Sequence, residues 1–501
     1  MYTAAEKMLT DVKKLLLENY PDTDIATIDR AFAFAKQAHE GQFRLSGRPH
    51  IDHAIATGQL LARWHMPQTL VVAGILHDVP EDTQFTLHDI KIHFGEEIGN
   101  IVEGETKLSK LHYHGRERYV ENLRRMFFSI AKDIRVVIVK FADRVDNLKT
   151  LNFFPEDKQK RIALESLEIY APIASRLGMG AIRGELEDLS FKYVHPNEYE
   201  WVNALMRDTI ARREAHIEKI KKIIEQDLKK NNIRFISIHG RIKHLYSLYI
   251  KLLEKNRDIS KVYDIVAKRI IVPSVQDCYA TLGIIHQRWT PLKGRIKDYI
   301  AQPKPNGYQS LHTTVFSEDG EIVEFQIRTP QMHEEAEFGV AAHWFYAEKG
   351  KNSEKINHHI KWLKDLVEIQ KTIQDRSKFL EALESLKIDF FRNRIFVFTP
   401  KGDVIDLPEG ATPIDYAYAI HTEIGNKCTA ARVNDQMVQL TSILQSGDVI
   451  EIITDRNRRG PSPDWVNFAK TSHARSKIKE AAKKIKLSGW IRELVSKKTV
   501  K

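Results

Sequence analysis

Several polar residues of this 501-residue chain could do chemistry by their type and spacing. His77-Asp78 ends an apolar stretch, Leu70 to Leu76, and Glu81-Asp82 follow it; further along, Asp143 has Asn147 four residues after it. At about 100° per residue, Asp143 and Asn147 share one helix face, opposite a stripe of Phe141, Val145 and Leu148. Upstream, His53 supplies a second imidazole. Imidazole with carboxylate suits a divalent cation such as Mn2+, Fe2+ or Zn2+, which lowers the pKa of a bound water and polarises a phosphoryl oxygen. Glu81 and Asp82 could then manage protons, although Pro80 ends or kinks a helix there. A lone His-Asp pair would do no more than cap a helix; the whole set argues for a metal.

A second set lies where the residue pattern alternates. From Ile322 to Arg328, Val323, Phe325 and Ile327 point one way and Glu324, Gln326 and Arg328 the other. Asp264 opens another strand-like run, ending at Val272. Two carboxylates on neighbouring strands suit Mg2+, which takes carboxylates together with substrate phosphates. Arg241, Lys243, His244, Lys251, Arg295, Lys297, Lys304 and His312 form a cationic ring fit for polyphosphate. Tyr308, after Asn306-Gly307, offers a flat face for stacking a base. No GxxxxGK[ST] loop is present, so side chains must hold the phosphates. One strand carboxylate alone would read as a solvent-facing residue of a half-exposed sheet; so many basic residues between the strands argue otherwise.

Several elements must position these sets, and at roughly 150 residues per domain the length suggests three or four domains. Residues up to about 200 read as helical, with Ile134, Val137, Ile138, Phe141, Val145 and Leu148 forming one apolar stripe. A long polar helical pattern runs from Glu198 to Lys230. Strand patterns follow at Arg234–His239, Val262–Val272, Thr313–Ser317 and Glu321–Arg328, with Asp319-Gly320 as a hairpin turn. Lys351 to Asp389 is again helical, and Arg394–Thr399, Asp403–Leu407 and Val449–Thr454 are short strands of a small domain.

Composition excludes several classes. Apolar residues make up 42% and charged residues 29%, ordinary for a globular chain. There is no apolar run of the ~18 residues a membrane helix needs and no apolar signal core, so no membrane partner is expected. Two cysteines, Cys278 and Cys428, rule out a disulfide scaffold and a cysteine-rich zinc module; a reducing cytoplasm fits. Net charge is +10, and Arg456–Lys501 holds 14 Lys/Arg against three Asp/Glu, leaving the rest near neutral. That tail is either a polyanion-binding segment or a solvated helix.

Together the motifs resemble those of the RelA/SpoT-type synthetase/hydrolases of the alarmone (p)ppGpp. The hydrolase pattern, of the HD phosphohydrolase type, stands as Arg44, His53, His77-Asp78-Val-Pro-Glu81-Asp82 and Asp143-Arg-Val-Asp-Asn147. The synthetase pattern stands as Gly240-Arg-Ile-Lys-His244, Ser247, Lys251, Asp264, Arg269, Gly294-Arg-Ile-Lys-Asp-Tyr-Ile-Ala, Pro303 to Thr314, and Glu324-Phe-Gln-Ile-Arg-Thr329. The resemblance implies a multidomain α and α+β protein. An all-helical HD-type hydrolase domain (1–196) precedes a nucleotidyltransferase-like α/β synthetase domain (197–345). A helical linker (346–391), a small β-grasp TGS domain (392–455) and a basic helical tail (456–501) follow.

The resemblance also implies roles. His53, His77, Asp78 and Asp143 would hold Mn2+, Glu81 and Asp82 would activate or orient water, and Arg44 and Asn147 would steady the nucleotide. Asp264 and Glu324 would hold Mg2+, with Glu324 relaying the proton of the attacking 3′-hydroxyl. Arg241, His244, Ser247, Lys251 and Arg269 would bind ATP; Lys297, Lys304, Asn306, Tyr308 and His312 would bind GDP or GTP. His421 is the expected tRNA contact of a module that meets the ribosome, the alternative being a structural histidine of the β-grasp core. Arg295-Ile-Lys-Asp298 resembles the bifunctional branch. Three departures stand out: Asp146 where the family usually has histidine, Pro80 in place of an aliphatic residue, and an end at Lys501 without zinc and ACT modules. The expected activity is therefore bifunctional synthesis and hydrolysis of (p)ppGpp. A hydrolase with an inactive, nucleotide-binding synthetase domain and a non-enzymatic ribosome or tRNA adaptor are the alternatives.

Overall fold

The computed structural model describes residues 3–109, 129–130, 132–262, 264–304, 306–318, 320–342, 394–401, 404–445, 447–458, 460–471 and 473–482. The helical pattern expected over 351–389, Asp319, Asp403 and the tail beyond 482 lie outside them. The chain forms two compact units, Met1–Glu368 and Ile369–Lys501.

The first unit opens with helices α1 (Ala4–Asn19), α2 (Ile25–Ala38), α3 (His50–Arg63), α4 (Gln68–Leu76), α5 (Val79–Asp82), α6 (Leu87–Phe94), α7 (Glu96–Ser109) and α8 (Arg135–Lys149). Thr3 and Glu6 form a capping box on α1, and Thr86 and Asp89 do the same on α6. The central helix α4 is apolar on every side and buried from Leu70 to Leu76, as a helix without a polar face must be. Gly58 on α3 and Gly74 on α4 let these two helices meet closely: an added Cβ would lie 2.7 Å from Ile75 at the first position and run into Leu61 at the second. Pro80 sits in the first turn of α5, where its missing N–H costs nothing; α4 therefore stops and a new turn re-aims the chain. Helices α9 (Glu156–Glu165), α10 (Ala171–Arg176) and α11 (Gly180–Val194) follow, with a π-turn at Ser166–Tyr170 between the first two. The long α12 (Pro196–Lys230) leads out of the helical region.

A five-stranded sheet then forms in the order β1-β2-β5-β4-β3: β1 (Ser237–Ile242), β2 (Val266–Ile271), β3 (Lys297–Asp298), β4 (Leu311–Phe316) and β5 (Ile322–Arg328). Only β2 and β5 run parallel. Two helices, α13 (Leu245–Glu254) and α14 (Val275–Arg288), connect its strands, and α15 (Pro330–Phe338) follows it. One sheet face packs Ile238, Ile270, Phe325 and Ile327 against Ile224 and Leu228 of α12 and Cys278 and Ile285 of α14. The register pairs Ala267 and Thr314 with Glu324, Arg269 and His312 with Gln326, and His239 with Arg269. Side-chain alternation thus gathers His239, Arg241, Arg269, His312, Glu324, Gln326 and Arg328 on the other face. Asp264 stands in the loop two residues before β2, not on a strand.

In the second unit, β6 (Arg394–Phe398) pairs with β7 (Val404–Pro408), and β8 (Cys428–Val433) lies between β9 (Gln436–Val438) and β10 (Ile450–Thr454). Helices α16 (Pro413–Ile420) and α17 (Thr422–Lys427) cover the strands. Ile414, Ala417 and Tyr418 of α16 bury against Cys428 and against Trp465, Ala469, Ala474 and Ile478. The start of the basic tail is therefore core material. Asp415 ties it down, accepting hydrogen bonds from the Lys470 and Thr471 N–H groups.

Candidate functional site

The helical region brings its predicted residues together. His53 on α3 and His77 at the end of α4 are fully enclosed, their rings 5.2 Å apart. The His77 Nδ1–H donates to the Gly74 carbonyl (2.8 Å), and the His53 Nδ1–H donates to the Asp146 carboxylate (2.7 Å). Each ring thereby turns its Nε2 toward Asp78 and Asp143. His53 Nε2 lies 3.3 Å from Asp143 Oδ1 and 3.4 Å from Asp78 Oδ2; His77 Nε2 lies 3.1 Å from Asp78 Oδ1 and 3.7 Å from Asp143 Oδ1. The carboxylate at position 146 thus orients the His53 ring.

The electrostatics suit a divalent cation. Burial opposes charge on His53, yet Asp143, Asp146 and Asp78 overcome it and raise the imidazole to about 10. His77 is raised to about 9 against the same burial penalty, chiefly by Asp78. Burial disfavours ionised Asp143 and Asp78, but Lys140 and the histidines on the first, and the histidines on the second, hold both carboxyls well below the usual range. The buried carboxylates thus call for positive charge beside them, which protons on the imidazoles can supply. A divalent ion would displace them, and the donor set of two imidazole nitrogens with carboxylate oxygens fits one. Lys140, buried between Glu105 (2.9 Å) and Asp143 (2.8 Å), fixes the second oxygen of Asp143. At the rim, Arg44 donates to Asn147, whose amide in turn donates to Asp143. Glu81 and Asp82 stand on α5, Glu81 half-buried and Asp82 exposed.

The sheet site is equally assembled. Asp264 Oδ2 accepts from Lys243 (2.6 Å) and Lys251 (2.5 Å), while its Oδ1 is buried and unpartnered. Burial would raise this carboxyl; the two lysines instead bring it to about 2. Asp264 lies near enough for its charge to oppose ionisation of Glu324, a second acid aimed at the same space. The free Oδ1 of Asp264 is a hard oxygen donor of the kind a divalent cation takes. Glu324 accepts from His312 Nδ1 (3.0 Å), and His312 Nε2 takes the Tyr308 hydroxyl (2.7 Å). Cations crowd the remaining space. Burial first, then Lys297, Arg183 and Arg241, lower Lys304 to about 8; burial and then Arg328 lower Arg269 to about 10. The Arg328 guanidinium, 1% exposed with two unpaired nitrogens, lies 5.5 Å from the Tyr308 ring.

Two expected ATP residues have partners outside the sheet. His244 Nδ1 meets Asp188 of α11 (2.8 Å), Asp188 also accepts from the Tyr246 N–H (3.0 Å), and Ser247 donates to Glu187 (3.3 Å). Gly184 makes room: a Cβ there would run into the His244 ring. Arg183, on the same helix, donates to Ser247 (3.3 Å). Sequence reasoning missed Arg183, Glu187 and Asp188, because their partners stand some 60 residues away and no local pattern joins them. Arg328 was visible on the Glu324 face by alternation. In the second unit His421 is exposed, its Nδ1 accepting from the Glu423 N–H (3.2 Å) at the start of α17. The alternative of a core histidine is thereby removed. Among the described residues no helix is long and apolar enough to cross a membrane.

Comparison with known proteins agrees with this geometry. Residues 31–180 match the model of the HD domain, 240–351 that of the region found in RelA / SpoT proteins, and 395–454 that of the TGS domain. The guanosine-3′,5′-bis(diphosphate) 3′-pyrophosphohydrolase of Aquifex aeolicus is 44% identical over 98% of this chain and 70% of its own length. The bifunctional (p)ppGpp synthase/hydrolase SpoT of Escherichia coli is 43% identical over 94% of this chain and 67% of its own. A GTP pyrophosphokinase of Streptomyces coelicolor is 42% identical over 94% of this chain, which spans 58% of that relative's length.

Proposed function

Because the chain belongs to the RelA/SpoT family, carrying its HD, synthetase and TGS domains in order, we propose that it both makes and degrades (p)ppGpp. The observation that carries this reading is that one compact unit gathers His53, His77, Asp78 and Asp143 among helices and sets Asp264, with its buried free Oδ1, and Glu324 among basic side chains at the sheet.

For hydrolysis, His53, His77, Asp78 and Asp143 would hold Mn2+, which when bound acidifies water and polarises a phosphoryl oxygen. Glu81 and Asp82 would take the proton of the attacking water, and the Arg44–Asn147 pair would steady the nucleotide as pyrophosphate leaves its 3′-oxygen. For synthesis, Asp264 and Glu324 would hold Mg2+. Arg241, His244, Ser247, Lys251 and Arg269 would bind ATP; Lys297, Lys304, Asn306, Tyr308 and His312 would hold GDP or GTP. Glu324, already accepting from His312, would receive the proton of the attacking 3′-hydroxyl. A cytoplasmic setting accords with two unpaired buried cysteines. The TGS domain, through exposed His421, and the basic tail would meet tRNA on the ribosome.

The test is a paired assay of AMP release from ATP and GDP with Mg2+, and of pyrophosphate release from ppGpp with Mn2+. Asp78→Ala should abolish hydrolysis and leave synthesis; Glu324→Gln should cut synthesis roughly 10²–10⁴-fold and leave hydrolysis. Loss of both activities from Asp78→Ala would mean the sites are not separable. One observation favours a second reading, a hydrolase whose synthetase domain only binds nucleotides: Asp188 and Glu187 hold His244 and Ser247. Absence of AMP at any Mg2+ concentration would support it.

A further inference from the structure

Arg269 projects from β2, a strand paired on both sides, and is 6% exposed. Arg328 on β5 and Arg241 on β1 oppose its charge, and burial adds to the cost. Like charges so placed need an anion among them to keep a fixed arrangement. Among the described residues Arg269 has one ion pair: its Nη2 lies 2.9 Å from Glu337 Oε1, near the end of α15. The same oxygen stands 3.9 Å from Arg328 Nη1 and 3.9 Å from His333 Nδ1, so Arg269 is the partner it engages. Burial would push the Glu337 carboxyl up, but Arg269 and then Arg328 bring it below its usual range, and the pair is ionised. Glu337 is itself held in place. Gly339, at φ +55°, ends α15 where an added Cβ would run into the Leu177 carbonyl, and the Val340 N–H donates to that carbonyl (2.9 Å). Glu334, one turn before, pairs with His65 (3.0 Å), and Phe338 packs on the His65 ring at 4.9 Å. The carboxylate is thus delivered by a helix fixed at several points before any nucleotide arrives.

We infer that Glu337 is a positioning residue of the sheet site, setting the plane of Arg269 so that the remaining donors of its guanidinium face ATP. A guanidinium is planar, and its fork serves a phosphate or a purine edge only when correctly turned. Glu337 takes one end of that fork; Nε of Arg269 stays buried without a hydrogen-bond partner. The inference rests on the synthetase reading above, which makes Arg269 an ATP ligand. Two other arrangements are distinguishable from it. A latch, with Glu337 withholding Arg269 from the nucleotide, predicts the opposite sign; a purely structural ion pair predicts no selective effect on ATP.

The experiment measures ATP affinity of the full chain with Mg2+ and no acceptor, by calorimetry, and AMP release from ATP and GDP on the same variants. Glu337→Gln keeps the shape and removes the charge. It should weaken ATP binding about tenfold and raise KM for ATP to match, while KM for GDP holds. Glu337→Asp, with the charge kept on a shorter arm, should recover part of that loss, and it carries the comparison if circular dichroism finds the first variant unfolded. In an Arg269→Ala background, Glu337→Gln should cost nothing further, because the group it acts through is gone. Unchanged or tighter ATP binding in Glu337→Gln, or an equal loss with and without Arg269, would overturn the inference. No AMP from a chain whose ATP affinity depends on Glu337 as stated would sink the synthetase reading and keep the positioning role. AMP release with ATP affinity indifferent to Glu337 would do the reverse, and a chain that binds no ATP would overturn both.

Discussion

At the scale of single residues, Asp146 decides how the His53 ring is held. Its carboxylate takes the Nδ1 proton of His53 and faces Arg48 at 3.4 Å and Arg44 at 3.8 Å. Asp146→Asn should therefore keep the fold and weaken Mn2+ binding at the helical site roughly 10–100-fold, measured by calorimetry. Lys304 gives a pH test on the other site. Its ammonium gives up its proton at about 8 because burial and three neighbouring cations disfavour the charge, and a bound phosphate would push that value up. Binding of GDP should then take up a proton and weaken as pH rises above about 8, where nucleotide phosphates are already fully ionised. Lys304→Arg should flatten the profile, since arginine keeps its charge; calorimetry in buffers of different ionisation enthalpy reads the uptake directly. Residue types were legible at this scale: His53, His77, Asp143 and Glu324 stood out by type and local pattern, whereas Asp264, read as opening a strand, lies in the loop before β2. Their partners were not: nothing near Asp146 in sequence announces His53, 93 residues away.

Helix α11 does at the element scale what no single residue does. It ends the helical domain, yet Arg183, Gly184, Glu187 and Asp188 on it touch His244 and Ser247, two expected donor-nucleotide residues, and the backbone of Tyr246. Gly184→Ala adds a methyl where the His244 ring stands, and although alanine favours the helix by about 1 kcal/mol, the ring must move. We expect KM for ATP to rise about tenfold while KM for GDP and the hydrolysis rate hold, measured by steady-state kinetics. Strand positions were read well where β-branched residues alternate, as in β5. Sequence placed the first strand at Arg234–His239, whereas pairing with β2 begins at Ser237, because Ile233 and Phe235 pack on the core before the ladder starts. Strands β8 and β9 escaped notice: Ala430-Ala431 carries no strand signal, and Asn434-Asp435, both at positive φ, form the two-residue turn that could have revealed them.

For the molecule as a whole, charge asymmetry located the basic tail but not its division of labour. Trp465, Ala469, Ala474 and Ile478 belong to the TGS core, so removing Arg456–Lys501 would test folding before it tested RNA. A chain ending at Ala482 keeps those residues and loses seven Lys/Arg. Its RNA binding should weaken, with a salt slope shallower by about 0.7–0.9 for each phosphate no longer neutralised, read by fluorescence anisotropy at several salt concentrations. An unchanged slope would move the RNA-binding surface to His421 and its surroundings.

The stretch between the two enzymatic family matches, residues 181–239, sets the terms on which this polypeptide can be dissected. Phe191 of α11 is buried with Val202 of α12 and Leu248, Tyr249 and Leu252 of α13. A fragment beginning at Pro196 would leave those aromatic neighbours wet and cut His244 loose from its anchor. An expression clone meant to carry the sheet-bearing half alone must therefore start upstream of Gly178, whose backbone packs on Asn306 and Gly339, and so borrow the last helices of the HD-type half.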